Sequence, residues 1–476
     1  MNVLLINPPY SLVEYNVYSK TGAVLPPLGL LYIAAYVRER CRNIDVCILD
    51  SSAYKLDFEG FQKELKDFQP DIVGITVCTA TFSGVLKTAE IVKENFPHCI
   101  IVVGGPHVSV QPEECISSSA NIDIAVIGEG EVIFAELLES IYRKVGINGV
   151  PNIVYKEGGK IVRTQGQHKT IDLDTLPFPA RDLINMRLYH PAHGTYRRLP
   201  AANMITSRGC PFRCTFCSSS IFGLQYRVQS PFKTMQEIET LVNDYGIREV
   251  LFNDDVFTLD KKKTAELCEL LLQKKLDFTW SCSTRVNLID PPLLNKMQKS
   301  GCFAVGYGIE SGDENILEKI DKDSSLKDAK KAIQWTKEAG METRAFYILG
   351  FPGETKQTIK RTIEFSLELD TDFVIYNIIS PMPGTKLFEE AKSNGLLLYE
   401  GREIYDKANG ATPMIKLCDV TPSELKQFYN LAYRRYYIRP RYIFNQLRRI
   451  RSLSDFNRYI RGALSFLNWN ENISYE

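Results

Sequence analysis

Neither sign of charge is in excess in this chain: Lys+Arg and Asp+Glu each number 57. No global field therefore draws it toward nucleic acid or an acidic surface. Long apolar runs are also missing, none approaching the ~20 residues that a membrane-spanning helix needs. The opening "MNVLLINPPY" is apolar only from Val3 to Ile6, with no basic region before the run and no cleavage site after it. It predicts a strand, not a signal peptide. Repeats, low-complexity tracts and charge blocks are absent too. What remains is an ordinary globular composition, 44% hydrophobic and 24% charged over 476 residues, enough for roughly two to four domains. Twelve cysteines with no export signal predict a reduced compartment, the cytoplasm, where thiols serve metals or cores.

Residues 1–145 alternate the apolar runs "NVLLIN", "IDVCILD", "DIVGITV", "CIIVVGG" and "IDIAVIG" with stretches of helical spacing. Five such βα units predict an α/β fold, a doubly wound open sheet of the flavodoxin-like or Rossmann type. Residues 146–195 read as a hairpin turning at Gly158-Gly159 and a proline-punctuated linker, "DLDTLPFPARDL". Over 196–390 a second series of six strands, from "ANMITS" to "FVIYNII", predicts a partial (β/α)6 barrel. Residues 391–476 lack strand patterning and predict a helical region, with a capping box at Thr421, Pro422 and Glu424 starting one helix and Pro440 breaking it.

"RGCPFRCTFCSSS" places Cys210, Cys214 and Cys217 directly after the first strand of the second series. Three thiolates suit a four-iron cluster that keeps one iron open, or a tridentate zinc site. Zinc motifs usually add a second knuckle or histidine, and the nearest imidazoles, His190 and His193, precede that strand. The remaining strand ends are polar or glycine-rich: Asp254 and Asp255, Ser283 and Arg285, Gly308, Glu310 and Ser311, then Gly350. Barrel active sites are built at that end, although Asp, Ser and Gly are also common loop and cap residues. In the first series the corresponding ends carry Asn7-Pro8, Thr76, Gly104-Gly105 and Gly128-Glu129-Gly130.

The cysteine spacing, with Phe216 before its last member, resembles the radical S-adenosylmethionine enzymes. Together with "NPP", "GGPHVS", "IGEGE", "LPFPARDL" and "FYNLAYRRYYIRPRY", it resembles their cobalamin-binding subgroup over about residues 1–460. The resemblance implies a 4Fe-4S cluster on Cys210, Cys214 and Cys217. S-adenosyl-L-methionine would lie on the open iron, among Phe216 and the strand ends of the second series. Cobalamin would lie on those of the first. It also implies a small-molecule biosynthetic substrate, with a lipid-like one among the options, and a low-potential electron donor such as flavodoxin or ferredoxin. One departure concerns D-x-H-x-x-G, which puts a histidine under cobalt in many cobalamin domains. Here "DSSAYK" has Ser52 at the histidine position and Lys55 at the glycine, so cobalt without that ligand is expected, and His107 reads as a loop residue near the corrin edge. Cys78 and Cys282 lie near strand ends and read as core thiols.

The expected activity is methyl transfer from cobalamin to an unactivated carbon, or to phosphorus. Radical cyclisation or rearrangement with the same cofactors is the alternative, and a non-catalytic corrinoid or electron carrier the remote one. The tyrosine- and arginine-rich segment from Glu424 to Arg461 reads either as helices packed on the barrel or as a lid over the substrate. Deleting residues from 421 onward is expected to leave a foldable chain.

Overall fold

The computed structural model describes residues 1–9, 23–166, 170–192, 195–218 and 221–449. His193 and the part of the C-terminal segment from 450 to 461 lie outside them. The five predicted parallel strands are β1 (Asn2–Asn7), β2 (Asp45–Asp50), β3 (Ile72–Thr76), β4 (Ile100–Gly104) and β5 (Ile124–Val126). They form one sheet in the order β2-β1-β3-β4-β5, and the predicted hairpin, β6 (Ile153–Glu157) and β7 (Lys160–Arg163), continues it antiparallel beyond β5. Its turn uses Gly158 and Gly159, both at positive φ, as a two-residue hairpin of primed type requires. The hairpin thus belongs to the first sheet, not to a separate connecting segment. Helices on both faces explain the unbroken apolar runs: helices Leu28–Arg40 and Gly130–Tyr142 supply one core, and Phe58–Leu65 with Phe82–Asn95 supply the other.

The connection to the second domain is buried. Ala180 N–H donates to the Leu31 carbonyl at 3.1 Å, and Arg181 pairs with Glu237 at 3.3 Å with both side chains 2% exposed.

The six predicted barrel strands follow as β8 (Ala201–Met204), β11 (Glu249–Phe252), β12 (Thr279–Thr284), β13 (Cys302–Glu310), β14 (Glu342–Leu349) and β15 (Phe373–Ile378), all parallel and paired in chain order. Between β8 and β11 lies a short antiparallel ladder of β9 (Ser207–Arg208) and β10 (Arg227–Val228). Helices start where side-chain caps stand: Ser230, Asp260, Asp290, Ser325 and Thr355 each accept from a first-turn N–H. None of these caps is a strand-end candidate, so helix capping does not account for Asp254, Asp255, Ser283 or Ser311.

The last helices begin as predicted, Pro422–Tyr437 with its capping box and Pro440–Arg449 after the break. The first of them seals the open edge of β15. The Tyr433 hydroxyl accepts from Tyr376 N–H (3.1 Å) and donates to the Tyr376 carbonyl (2.9 Å). One helical turn later, the Tyr437 hydroxyl does the same for Val374, at 3.0 and 2.6 Å. A four-residue helical step rises about 6 Å, close to a two-residue step along a strand, so the hydroxyls fall into register with the outward-facing peptide groups. The helix face also buries Leu425, Tyr429, Ala432 and Tyr436. Both features correct the deletion expectation: removing residues from 421 onward strips a strand edge and uncovers core. On this helix the tyrosines pack and seal the sheet, which favours the packing reading over the lid. No helix among the described residues is long and apolar enough to cross a membrane.

Candidate active site

The β9–β10 ladder pins the two ends of the cysteine loop. Gly209 enters it at φ +83°, and a side chain there would collide with the Gln225 carbonyl, so only glycine lets the chain turn toward Cys210. The loop is held further by Cys210 N–H on the Gly223 carbonyl (3.2 Å), Thr215 N–H on Ile320 (3.0 Å) and Leu387 N–H on Thr215 (2.9 Å). Burial pushes the Cys217 thiol up to about 11, and Cys214, Asp255 and Cys210 push in the same direction. Burial likewise raises Cys210, with Asp255 and Cys214 adding to it. The three thiols and the Asp255 carboxylate are thus within electrostatic reach of one another, in one region at the carboxyl end of the second sheet. Among the described residues, no three His, Cys, Asp or Glu side chains are gathered closely enough to share a single metal ion. Thiolates that each take their own iron of a cluster need no such convergence, whereas one zinc does.

The other strand ends divide between this region and the supporting protein. Arg285 comes into it: Nη1 donates to Cys214 Sγ at 3.4 Å, the guanidinium stacks 3.7 Å from the Phe212 ring centroid, and Nη2 donates to the Asp323 carbonyl at 3.2 Å. Asp254 turns inward, accepting from Thr206 N–H (3.0 Å), Thr206 Oγ1 (2.9 Å) and Ser207 Oγ (2.5 Å). It fastens the start of the cysteine loop to β11, and burial pushes its carboxyl up to about 6. Glu310, at φ +69°, forms a buried ion pair with Lys322 at 2.7 Å, and a Cβ on Gly308 would come 2.9 Å from Lys322 Nζ. Ser283 lies beside Gly306, where its Oγ would stand 2.8 Å from a Cβ. Ser311 Oγ turns to Thr362 Oγ1 (3.2 Å) within the protein. Phe216 stacks 5.4 Å from Phe351, and the Gly350 and Phe351 N–H groups donate to Glu354 Oε2 at 2.5 and 3.1 Å.

In the first domain, Asn7 Nδ2 donates to Asp50 Oδ1 (2.8 Å) and reaches Ser52 Oγ (3.3 Å), and the Tyr189 hydroxyl donates to Asp50 Oδ2 (2.9 Å). Pro8 is buried next to Asn7. His107 is fully buried between Phe82 and Tyr405, ring centroids 4.6 and 4.7 Å away. Burial lowers it to about 4; it sits on helix Pro106–Val110, not in a loop, with Nδ1 3.3 Å from Thr79 Oγ1. The glycines differ in kind. A Cβ on Gly105 would lie 2.9 Å from the Val77 carbonyl and 3.3 Å from Thr76 Oγ1, and one on Gly130 would lie 2.9 Å from Ile33. These two serve close packing. Gly104 has only Val126 near 3.8 Å, and Gly128, at φ +81°, has nothing within 4 Å, so neither is required by packing at the ends of β4 and β5.

The carboxyl ends of the two sheets face each other. Gly384, in the loop after β15, packs so tightly on helix Pro106–Val110, after β4, that a Cβ would stand 2.6 Å from Val110. On the other side, Arg208 donates to Glu129 (2.6 Å) and Glu131 (2.5 Å), and Arg227 closes a second ion pair with Glu129. Glu129, expected at cobalamin, is thus engaged by the second domain two residues from Cys210. Arg208, Arg227, Tyr189, Lys322 and Glu354 were not singled out by sequence reasoning. Their partners lie up to 139 residues away, with no periodic signal joining them, although Glu354 sits four residues from a noted glycine.

Residues 204–366 match the Radical SAM superfamily and residues 17–138 the B12 binding domain. An uncharacterized methyltransferase of Pyrococcus horikoshii is 36% identical over 448 residues, covering 94% of this chain and 95% of that one. The anaerobic magnesium-protoporphyrin IX monomethyl ester cyclase of Rubrivivax gelatinosus is 29% identical over 448 residues, covering 92% and 78%. Among solved structures, the cobalamin-dependent S-adenosylmethionine radical enzyme OxsB, with aqua-cobalamin and S-adenosylmethionine bound, has the same fold, with TM-score 0.72, 17% identity, and 98% and 72% of the two chains covered.

Proposed function

Since this chain belongs to the cobalamin-binding radical S-adenosylmethionine enzymes, with a 4Fe-4S cluster, S-adenosylmethionine and cobalamin as cofactors, we propose that it transfers a methyl group to an unactivated carbon, or to phosphorus, of a small biosynthetic molecule. The observation that carries this is the apposition of the two sheet mouths, clamped by Glu129 and Arg208 two residues before Cys210. When bound, these cofactors supply a methyl donor and a radical generator, and the protein's part is to aim both at one substrate atom.

Cys210, Cys214 and Cys217 hold the cluster in the loop pinned by β9 and β10. Asp255 and the Lys322–Glu310 pair stand in the same region, where charged groups would orient the amino and carboxylate ends of S-adenosylmethionine. Gly350, Gly308 and Phe216 would border it. In residues 1–145, the ends of β1, β4 and β5 at Asn7, Gly104 and Gly128 would hold the corrin, with Ser52 at the position where many cobalamin domains carry a histidine. That packing does not require glycine at Gly104 or Gly128 supports that placement. The electron donor is a low-potential carrier of the flavodoxin or ferredoxin type, and the compartment is the cytoplasm.

A second reading, radical cyclisation, is favoured by the relative named as a cyclase, but at lower identity and coverage than the one named as a methyltransferase. Product mass separates them. Extracts of cells with and without the enzyme are expected to differ by a product one methyl heavier than its precursor, and an oxidised or isomeric product would defeat methyl transfer. Replacing Cys210, Cys214 and Cys217 with alanine is expected to abolish 5′-deoxyadenosine formation. A triple variant that still releases it would refute the cluster assignment.

A further inference from the structure

We propose that Arg285 sets the reduction potential of the cluster by donating a hydrogen bond to the Cys214 thiolate. This rests on the reading of the three cysteines as cluster ligands. Arg285 follows β12 directly and is 5% exposed. Its hydrogen bonds go to a sulfur and to a backbone carbonyl, not to a carboxylate. A guanidinium keeps its proton at ordinary pH, and a buried cation is favoured by negative charge on the atoms it donates to. The site therefore calls for negative charge at the sulfur that Nη1 faces, which a cluster-bound thiolate provides. A second observation is consistent with this: Arg285 Nε is buried without a partner, so the protein alone leaves a donor on this side chain unsatisfied.

The guanidinium has little freedom to leave. Phe212, two residues before Cys214, lies under its plane. The Asp323 carbonyl that holds Nη2 also accepts from Asn287 Nδ2 at 2.8 Å. Because the stacking ring belongs to the cysteine loop itself, the arginine and the sulfur keep register as the loop settles on the cluster. Reduction adds one electron, so the reduced cluster is the more negative state. A fixed cationic donor to a ligand sulfur stabilises it more than the oxidised state and raises the potential. Arg285 is in this sense a positioning and tuning residue, distinct from the ligands.

The test is a potentiometric titration, followed by electron paramagnetic resonance, of the anaerobically reconstituted full-length protein without S-adenosylmethionine. Omitting it removes any effect that Arg285 exerts through that molecule's carboxylate. Arg285→Gln is expected to lower the midpoint by about 59 mV, a tenfold change in the one-electron equilibrium. Arg285→Lys keeps the charge but not the planar fork and is expected to fall between the two. A four-iron Arg285→Gln protein with the wild-type potential overturns the proposal. If Arg285→Gln takes up no cluster, Arg285→Lys decides by the same criterion, and if neither does, the residue serves assembly and the proposal is again overturned. Wild-type protein that takes up no four-iron cluster would instead bring down the cysteine assignment.

Discussion

Replacing Arg208 with methionine keeps most of the side chain's volume and removes its charge. In the native protein, burial alone would lower the pKa of this guanidinium, but Glu131 and Glu129 more than offset that and raise it. The ring faces of Tyr32 and Phe222, 5.2 and 5.1 Å away, add cation–π attraction. After the substitution Glu129 still has Arg227. Glu131, 6% exposed, loses its one ion-pair partner. Removing one member of a buried pair costs about 3–5 kcal/mol, mostly the penalty of the stranded charge. Glu131→Gln alone leaves Arg208 paired with Glu129 and is expected to cost less, about 1.5–3 kcal/mol for a lost charge-assisted hydrogen bond. The double variant should then be less destabilised than the sum of the two, with a coupling of about 0.5–3 kcal/mol. Equilibrium unfolding in urea, with all four proteins of the cycle, measures each term. The clamp also fixes where Cys210 stands relative to the first domain, so a misplacement of about 1 Å could slow turnover of the loaded enzyme about a hundredfold. A loss below about 1 kcal/mol in Arg208→Met, with additive behaviour in the double variant, would refute the reasoning and make the ion pairs incidental.

Three further outcomes are expected. Replacing both Tyr433 and Tyr437 with phenylalanine should cost about 2–6 kcal/mol, because four hydrogen bonds to β15 are lost at about 0.5–1.5 kcal/mol each; hydrogen exchange at Val374 and Tyr376 should quicken, and unchanged protection would contradict the seal. Burial pushes Glu354 up to about 8, so the folded protein holds a proton that the unfolded chain releases near pH 4.5, and stability falls by a few kcal/mol as pH rises between those values. Glu354→Gln should flatten that slope, and parallel unfolding curves for the two proteins would count against it. Cob(II)alamin bound to the protein should show no superhyperfine splitting from a histidine nitrogen, in wild type and in His107→Phe alike; a splitting lost in the variant would place His107 on cobalt.

Much of the fold was legible because each element carries its own signal. The unbroken runs around Val3–Ile6 and Ile100–Gly104 mark doubly covered strands, and Gly158-Gly159 marks a turn whether or not its partners are known. The cysteine loop was legible for the same reason, its three cysteines lying within eight residues. What the sequence could not express is pairing across distance. Glu129 reads as one more polar residue in a glycine-rich turn until Arg208 and Arg227, 79 and 98 residues on, close around it. Ser311 and Asp254 look like mouth residues by position, yet their side chains turn back into the protein. Strand-end patterning specifies where a residue is, not which way it points. The membership of the hairpin in the first sheet was hidden likewise, since a turn signal does not say which sheet the hairpin extends.

The hydroxyl groups along β15 recognise main chain alone. Those hydrogen bonds do not depend on which amino acids the strand carries, although the Tyr433 and Tyr437 rings also pack on Tyr376 and Phe373. Ile375 and Asn377 alternate onto the face opposite the packed Val374, Tyr376 and Ile378. They can therefore change, reshaping one wall of the barrel for new molecules, without breaking the seal. The burden of closure falls on two positions of a neighbouring helix instead, where even a change as small as Tyr to Phe is felt. Specificity and closure are thereby placed under separate genetic control, and a family that handles many different compounds on one scaffold gains room to diversify.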